Sequence, residues 1–185
     1  MIKVTNNKIL REILDWALHF GIAVLLVLLV VFFLGRITVV EGTSMVPTLN
    51  NGDVLIIESI TPRFGTLRQG DIVVMRIPEL LGSDNRKYAI KRIIAVENQH
   101  IQIKEGKIYV DGKELQEPYI NGSYTQEMND IYSDIIVPEG CIFVMGDNRL
   151  PDKSRDSRVF GPVNKDRVIG KCILRIFPFS DFGSV

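Results

Sequence analysis

Residues 88–96 read YAIKRIIAV and form one of the two longest β-like runs in this chain of 185 residues. Successive side chains of a strand point to opposite faces, which predicts that four residues share one face: Ala89, Lys91, Ile93 and Ala95. Lys91 is then the only charge on an apolar face, and Arg92 points the other way. An isolated strand lysine more often protects a sheet edge. A buried lysine, however, loses its proton more readily and can act as a base.

Similar short runs of valine and isoleucine recur on both sides of this strand. Turn-forming residues separate them, and Asp111-Gly112 is the strongest hairpin signal. The pattern predicts a mostly antiparallel β fold rather than alternating strands and helices. The other predicted strands are 37–40, 54–57, 72–75, 101–103, 108–110, 135–137, 142–145 and 168–176. The more polar segment 97–138 is interpreted as a small inserted β module between 36–96 and 139–185, which together form the main β core.

A long apolar segment precedes the strands. The 18 residues Ala17–Leu34 contain no Asp, Glu, Lys or Arg, and as a helix they would span roughly 27 Å, close to the ~30 Å hydrocarbon core of a bilayer. We therefore predict one transmembrane helix over residues 16–35. A buried core helix should show a polar face, and a cleaved signal peptide should be followed by a small-x-small site, so both alternatives are disfavoured.

The charges that flank this segment predict its orientation. Lys3, Lys8 and Arg11 precede it, whereas only Arg36 follows it closely. Positive charge stays on the cytoplasmic side. Residues 1–15 are therefore expected in the cytoplasm and the β domain outside it.

The composition excludes most familiar hydrolytic machinery. Lys plus Arg and Asp plus Glu both number 22, so no excess positive charge indicates nucleic-acid binding. Two histidines, His19 and His100, and two cysteines, Cys141 and Cys172, are too few and too scattered for a His-dependent triad or a zinc site. We expect no metal and no cofactor.

The two cysteines could be free thiols or a disulfide. Small, buried, free side chains are the preferred interpretation.

A serine paired with a lysine base remains. Ser44 lies in the segment EGTSMVPTL, residues 41–49, shortly after the predicted anchor. Gly42 permits a tight turn and Pro47 restricts the backbone beyond the serine. A lone loop serine is usually a turn residue, but this context together with a strand lysine predicts a Ser44–Lys91 pair.

Four segments carry a family resemblance. They are EGTSMVPTL, GDIVVM at 70–75, YAIKRIIAV, and MGDNR with SRDSRVFG at 145–161. They resemble the boxes of bacterial type I signal peptidases, in particular the Gram-positive-type members with a single N-terminal anchor. The resemblance implies a β-rich catalytic domain that removes signal peptides from secreted preproteins at the outer membrane surface, cutting after small-x-small sequences. The main β core would then be the catalytic core.

The resemblance also implies residue roles. Ser44 matches the nucleophile, Lys91 the general base, and Ser154 a serine that orients the lysine. Supporting roles fall to Gly42, Asp147, Asp156 and Arg158, and Gly146 and Asn148 shape the same loop. Gly42 stands where some members have an oxyanion-hole serine, so the hole would rest on backbone N–H groups, chiefly that of Ser44. Two extra residues precede Ser154, and Ser157 is the fallback for its role.

The expected partners are secretory preproteins and membrane lipid, with no nucleic acid. The substrate is expected to lie extended beside a strand, with small side chains in apolar pockets lined by Val40, Met45, Leu49, Ala89 and Ile90. Two alternatives stay open: a dedicated peptidase for one surface-assembly substrate, and an inactive paralogue that binds signal peptides. A self-cleaving repressor-type Ser–Lys protease is disfavoured by the predicted membrane span and the neutral charge.

Overall fold

A computed structural model describes residues 3–77 and 88–185, with side chains at 8–27, 35–77 and 88–185. The chain divides into two compact units, Met1–Arg36 and Ile37–Val185. The described elements besides the strands are helices α1 Lys3–Leu34, α2 Thr61–Phe64, α3 Asp130–Ser133 and α4 Ser157–Phe160, with short 3₁₀ turns at Lys165–Arg167 and Phe179–Asp181.

The first unit consists mainly of α1. Among the residues that the structure describes, no helix combines the length and the apolar character needed to cross a membrane. The predicted anchor includes residues 28–34, whose side chains lie outside the described part of the chain. The anchor therefore stays a prediction.

Short strands form most of the second unit. They are β1 Gly35–Val39, β2 Val54–Glu58, β3 Ile72–Arg76, β4 Tyr88–Val96, β5 His100–Lys104, β6 Lys107–Val110, β7 Lys113–Glu114, β8 Asp134–Ile136, β9 Cys141–Met145, β10 Val163–Asn164, β11 Val168–Phe177 and β12 Gly183–Ser184. Every predicted run corresponds to one of them. The two-residue strands β7, β10 and β12 were not predicted, because two residues carry no recognisable period.

The strands form two sheets. The first has the order β1-β2-β11-β3-β4-β9-β10, and β12 pairs with β11. The strand pairs from β2 to β10 are antiparallel. The second sheet has the order β7-β6-β5-β8 and is also antiparallel. The prediction of a mostly antiparallel β fold is confirmed.

The second sheet lies within the segment 97–138, and its β6–β7 turn is formed by Asp111 and Gly112. Both residues have positive φ, 51° and 74°, as a tight hairpin turn requires. The division into a catalytic core and an inserted module stays a prediction.

Strand β4 departs from strict alternation. Lys91 pairs with Val73 of β3, and Val73 packs in one buried cluster with Ile93, against which Ala89 also packs. Ala95 was predicted on this face, but it packs in a different cluster with Phe143 of β9. The register between β4 and β9 shifts between Ile93 and Ala95. Such an irregularity changes which face the following residues point to, and a sequence pattern does not reveal it.

Both cysteines are free thiols. Cys172 is buried, and its burial raises the pKa of the thiol to about 12. Cys141 is half-buried at the start of β9. The preferred interpretation of free thiols agrees with these positions, although only Cys172 is fully buried.

Candidate active site

A lysine and a serine from distant parts of the chain meet at β4. Lys91 is 3% exposed, and its Nζ donates a hydrogen bond of 2.7 Å to Ser44 Oγ. Ser44 itself is only partly buried. The amine is therefore shielded from water, while the hydroxyl remains within reach of a second chain.

The loop around Ser44 is held from two sides. On one side, the Gly42 N–H donates 2.8 Å to Asn51 Oδ1, and Gly42 has a φ of 94°, a conformation that favours glycine. On the other side, the Asn148 N–H donates 3.0 Å to the Ser44 carbonyl, and Asn148 Nδ2 donates 2.9 Å to the Thr43 carbonyl. These bonds fix the backbone on either side of the Ser44 side chain.

Ser154 belongs to a buried polar cluster beside this pair. Its Oγ donates 2.7 Å to Asp156 Oδ2. Arg158 donates to both oxygens of the same carboxylate, from Nε to Oδ1 at 2.8 Å and from Nη2 to Oδ2 at 2.9 Å. Burial alone would raise the pKa of Asp156, but the hydrogen bonds and charge of Arg158, with a further contribution from Lys91, lower it below its usual range.

Gly146 lies where this cluster meets Ser44. A Cβ built on Gly146 would collide with the Ser154 side chain and with the Ser44 carbonyl oxygen. The Gly146 N–H also donates 3.1 Å to Asp156 Oδ2. The structure therefore brings Ser154 close to Ser44 despite the two extra residues before it.

Ser157, the fallback for this role, makes a different contact. Its Oγ accepts a hydrogen bond of 2.9 Å from the Val144 N–H. It therefore links α4 to the backbone of β9.

Asp147 lies on the other side of β4 and binds Arg92. Arg92 donates from Nε to Oδ1 at 2.9 Å and from Nη2 to Oδ2 at 2.7 Å. Its Nη1 donates 2.9 Å to the Gly70 carbonyl, and the Thr48 hydroxyl donates to Asp147 Oδ2. Burial alone would lower the pKa of Arg92, but the hydrogen bonds to Asp147 and the charge of its carboxylate raise it, so Arg92 stays charged.

Several polar residues of this region were not singled out from the sequence. Arg92 is the neighbour of Lys91 and was noted only as pointing away. Arg149 lies in the MGDNR segment and is fully buried, with its Nε donating 2.7 Å to the Gly146 carbonyl. Its position in the same box as Asp147 was the signal that could have found it. Thr48 lies in the EGTSMVPTL segment, but nothing local indicated its contact with Asp147, which is 99 residues away in the sequence.

The predicted pocket residues fall into two clusters. Val40, Met45 and Leu49 are buried together, and Ile90 packs against them. Ala89 packs against a separate cluster. Since Met45 and Leu49 are 2% and 0% exposed, they offer a substrate little surface in this state. Their assignment as pocket residues stays a prediction.

The geometry suits acyl transfer. It combines an accessible hydroxyl, a buried amine at hydrogen-bond distance and a tightly held loop. Among the described residues, no cluster of three or more His, Cys, Asp or Glu side chains could hold a metal ion.

Comparison with known proteins identifies the family. The family model described as signal peptidase, peptidase S26, matches residues 13–177. The chain belongs to this signal peptidase family.

Curated relatives narrow the assignment. The chain is 38% identical to the probable signal peptidase I-1 of Synechocystis sp. over 89% of its own length and 82% of the relative. It is 34% identical to signal peptidase I T of Bacillus subtilis over 96% of this chain and 92% of that one. Signal peptidase IB of Staphylococcus aureus strain COL is 30% identical, with 93% of each chain covered. The resemblance to bacterial type I signal peptidases is thereby confirmed, and this family member is a hydrolase of the protease class.

Proposed function

We propose that this signal peptidase removes signal peptides from secreted preproteins by attack of Ser44 on the scissile carbonyl, with Lys91 as the general base. The observation that carries the proposal is the 2.7 Å hydrogen bond between Lys91 Nζ and Ser44 Oγ. At this distance a neutral amine can accept the hydroxyl proton directly as Oγ attacks. The protonated Lys91 then gives this proton to the leaving amine of the substrate. Neutral again, Lys91 activates a water molecule that hydrolyses the acyl-enzyme.

The surroundings of Lys91 support a neutral amine. Lys91 is 3% exposed, and burial disfavours the charged form of an amine. Asp156 lies nearby and would favour the charged form, but both of its oxygens accept hydrogen bonds from Arg158. Arg158 thus neutralises part of the negative charge of Asp156, which weakens the effect of that charge on Lys91. Ser154, which Asp156 binds, is proposed to orient the lysine.

The oxyanion of the tetrahedral intermediate is proposed to bind backbone N–H groups, chiefly that of Ser44. The hydrogen bonds from Asn148 to the Ser44 and Thr43 carbonyls hold this backbone in place. Donors fixed before the reaction need no rearrangement as charge develops, which is why such donors contribute strongly to catalysis.

The substrate is proposed to lie extended beside a strand and to place small side chains against apolar residues. Ile90 and Ala89 are partly exposed and offer direct contact. Val40, Met45 and Leu49 would form the buried floor beneath Ile90. A shallow floor of this kind would favour the small residues of a small-x-small site.

The enzyme is proposed to be anchored in the membrane, with lipid as a partner. Residues 17–34 carry no charged side chain, which favours a transmembrane helix over residues 16–35. Residues 1–15 would be cytoplasmic. The catalytic core, 36–96 and 139–185, with its inserted module 97–138, would face the outside, where preproteins emerge.

Cleavage of a membrane-inserted preprotein with a small-x-small site tests the proposal. The full chain is compared with Ser44→Ala and Lys91→Met, and the N-terminus of the product is mapped by mass spectrometry. We expect a cut after the last small residue that disappears in both variants. Matched controls are Ser133→Ala and Lys113→Met, because both residues lie outside the site, Lys113 exposed and Ser133 partly exposed. Persisting cleavage by Lys91→Met would rule out the lysine as the base.

A further inference from the structure

The connection between β7 and α3 contains buried polar groups. Its central part, residues 117–125, is called the strap below. It contains no helix or named strand, yet Glu117 has a side chain that is only 6% exposed, and Thr125 is 1% exposed. Irregular segments normally run over the surface with their polar groups in water. The strap instead directs its polar groups toward the loop that holds Ser44.

The first contact of the strap is with Arg149. Glu117 accepts hydrogen bonds from both terminal nitrogens of this fully buried guanidinium. Thr125 Oγ1 accepts a third bond of 2.8 Å from Nη1. The remaining Arg149 donor, Nε, binds the Gly146 carbonyl at 2.7 Å. The strap therefore orients the arginine that fixes Gly146, the residue packed between Ser44 and Ser154.

The second contact is with Arg92. The Tyr119 ring lies 3.9 Å from the Arg92 guanidinium carbon, within the range of a favourable cation–π interaction. The Tyr119 hydroxyl donates 3.1 Å to Glu117 Oε1. Burial, together with the charge of Glu117, raises the pKa of Tyr119, so the phenol stays neutral. The ring thus covers the guanidinium that holds Asp147.

The third contact is made by the backbone. The Asn121 N–H donates 2.9 Å to the Asp147 carbonyl, and the Arg149 N–H donates 3.0 Å to the Asn121 carbonyl. Asn121 and Asn148 thereby form a parallel bridge. The strap is paired with the loop at the residue whose own N–H binds the Ser44 carbonyl.

We propose that the strap is a positioning element for the reaction, with Tyr119 and Glu117 as positioning residues that act on Ser44 through Arg92, Arg149 and the loop 146–149. The inference rests on the proposed role of Ser44 as the nucleophile. None of the strap contacts described above reaches Ser44 or Lys91 directly. Its effect passes through the backbone that aims the Ser44 side chain and N–H.

This role has a kinetic signature. A displacement of about 1 Å at a reacting group can cost on the order of a hundredfold in rate. An interaction needed only in the transition state lowers kcat and leaves KM unchanged. Loss of a strap contact should therefore reduce kcat roughly 10- to 100-fold with KM retained. A purely structural contact would lower the melting temperature without this split.

The test compares Tyr119→Leu with Tyr119→Phe in the full chain, using the preprotein assay well below the melting temperature. Phenylalanine keeps the ring over Arg92 and should retain kcat within about threefold, whereas leucine removes the ring and should show the full loss. The control for stability is Val110→Ala, which removes buried methyl groups from the second sheet and should lower the melting temperature while keeping kcat. If Tyr119→Leu does not fold by circular dichroism, Glu117→Gln replaces it.

The outcomes separate the two proposals. Equal kcat in Tyr119→Leu and Val110→Ala, with Ser44→Ala inactive, would overturn the positioning role of the strap but not the proposed function. A rise in KM with kcat retained would assign the strap to substrate binding and would also overturn the positioning role. Cleavage by Ser44→Ala at the wild-type rate would overturn the proposed function, and the strap with it, because the strap acts through Ser44.

Discussion

The two sheets carry their charges in opposite ways. Beside the first sheet, Lys91, Arg92 and Asp156 are each 9% exposed or less. In the second sheet, the pair His100–Asp134 has side chains that are 40% and 62% exposed. Burying an ion costs several kcal/mol unless it is well paired, so a scaffold alone gains little from buried charges. The difference agrees with the proposal that the first sheet carries the chemistry, while the second sheet packs through an apolar cluster that it shares with β4 and β9.

The largest effect is expected from Lys91→Arg. Arginine also places nitrogen donors at this position, but it cannot lose its proton in a protein, so it cannot supply the neutral amine. Because Lys91 is proposed as the base, cleavage should fall by about 10²–10⁴-fold, the usual range for a general base. The rate of preprotein cleavage measures the loss, and circular dichroism checks the fold.

The matched control is Lys171→Arg. Lys171 lies in β11 and pairs with Asp71 at 2.7 Å, so a conserved charge should suffice there. Activity of Lys91→Arg close to that of Lys171→Arg would mean that both lysines serve only as charges, and the contrast between the sheets would lose its functional meaning.

The next effect is one of stability, in Asp156→Asn. The carboxylate accepts hydrogen bonds from Arg158 and Ser154, so the substitution leaves a buried guanidinium without its counter-charge. Breaking a buried pair in this way costs about 3–5 kcal/mol. Urea titration of the full chain in detergent, followed by circular dichroism, measures the change. The second sheet provides the control Asp134→Asn. The carboxylate of Asp134 is exposed, so this substitution should leave the urea midpoint unchanged.

A smaller, graded effect should appear in acid. The folded-state pKa of Asp156 is lowered, so its contribution to stability is present above the unfolded value of about 3.9 and is lost as the pH falls through the folded value. The stability difference between wild type and Asp156→Asn should be constant near neutral pH and should shrink below about pH 4. A difference that stays constant down to strong acid would mean that the pKa of Asp156 is the same in the folded and the unfolded protein.

Much of both sheets could be predicted from the sequence, because most of their strands are long enough to show their apolar character. The Tyr88–Val96 strand and its lysine, the Asp111-Gly112 hairpin and the Ser44 loop were all found in this way. Each depends on local chemistry: strand alternation, positive φ at a turn, or a glycine where the chain must bend. The contact between Ser44 and Lys91 was predicted because a lysine on an apolar strand face and a serine between Gly42 and Pro47 both stand out in the sequence.

Other parts could not be read from the sequence, because they depend on pairing between distant residues. The register shift that moves Ala95 to another cluster arises where Ile93 and Ala95 of β4 pair with consecutive residues of β9. The environment of Arg149 comes from Glu117 and Thr125, 32 and 24 residues away in the sequence. Polar residues in an irregular segment look like an ordinary solvated loop until the fold shows what they bind.

The smallest effect is expected from Lys107→Ala in the second sheet. Lys107 Nζ lies 2.9 Å from Glu114 Oε1, and the two side chains are 53% and 38% exposed. Glu114 raises the pKa of Lys107, but exposed pairs of this kind gain little, because water and salt screen them and the long side chains lose freedom. Urea midpoints of wild type and Lys107→Ala should therefore coincide, at low salt and at high salt, and preprotein cleavage should be unchanged. A clear loss of stability that disappears in high salt would show that the surface charges of the second sheet also hold the fold, and the contrast with the first sheet would then be one of degree.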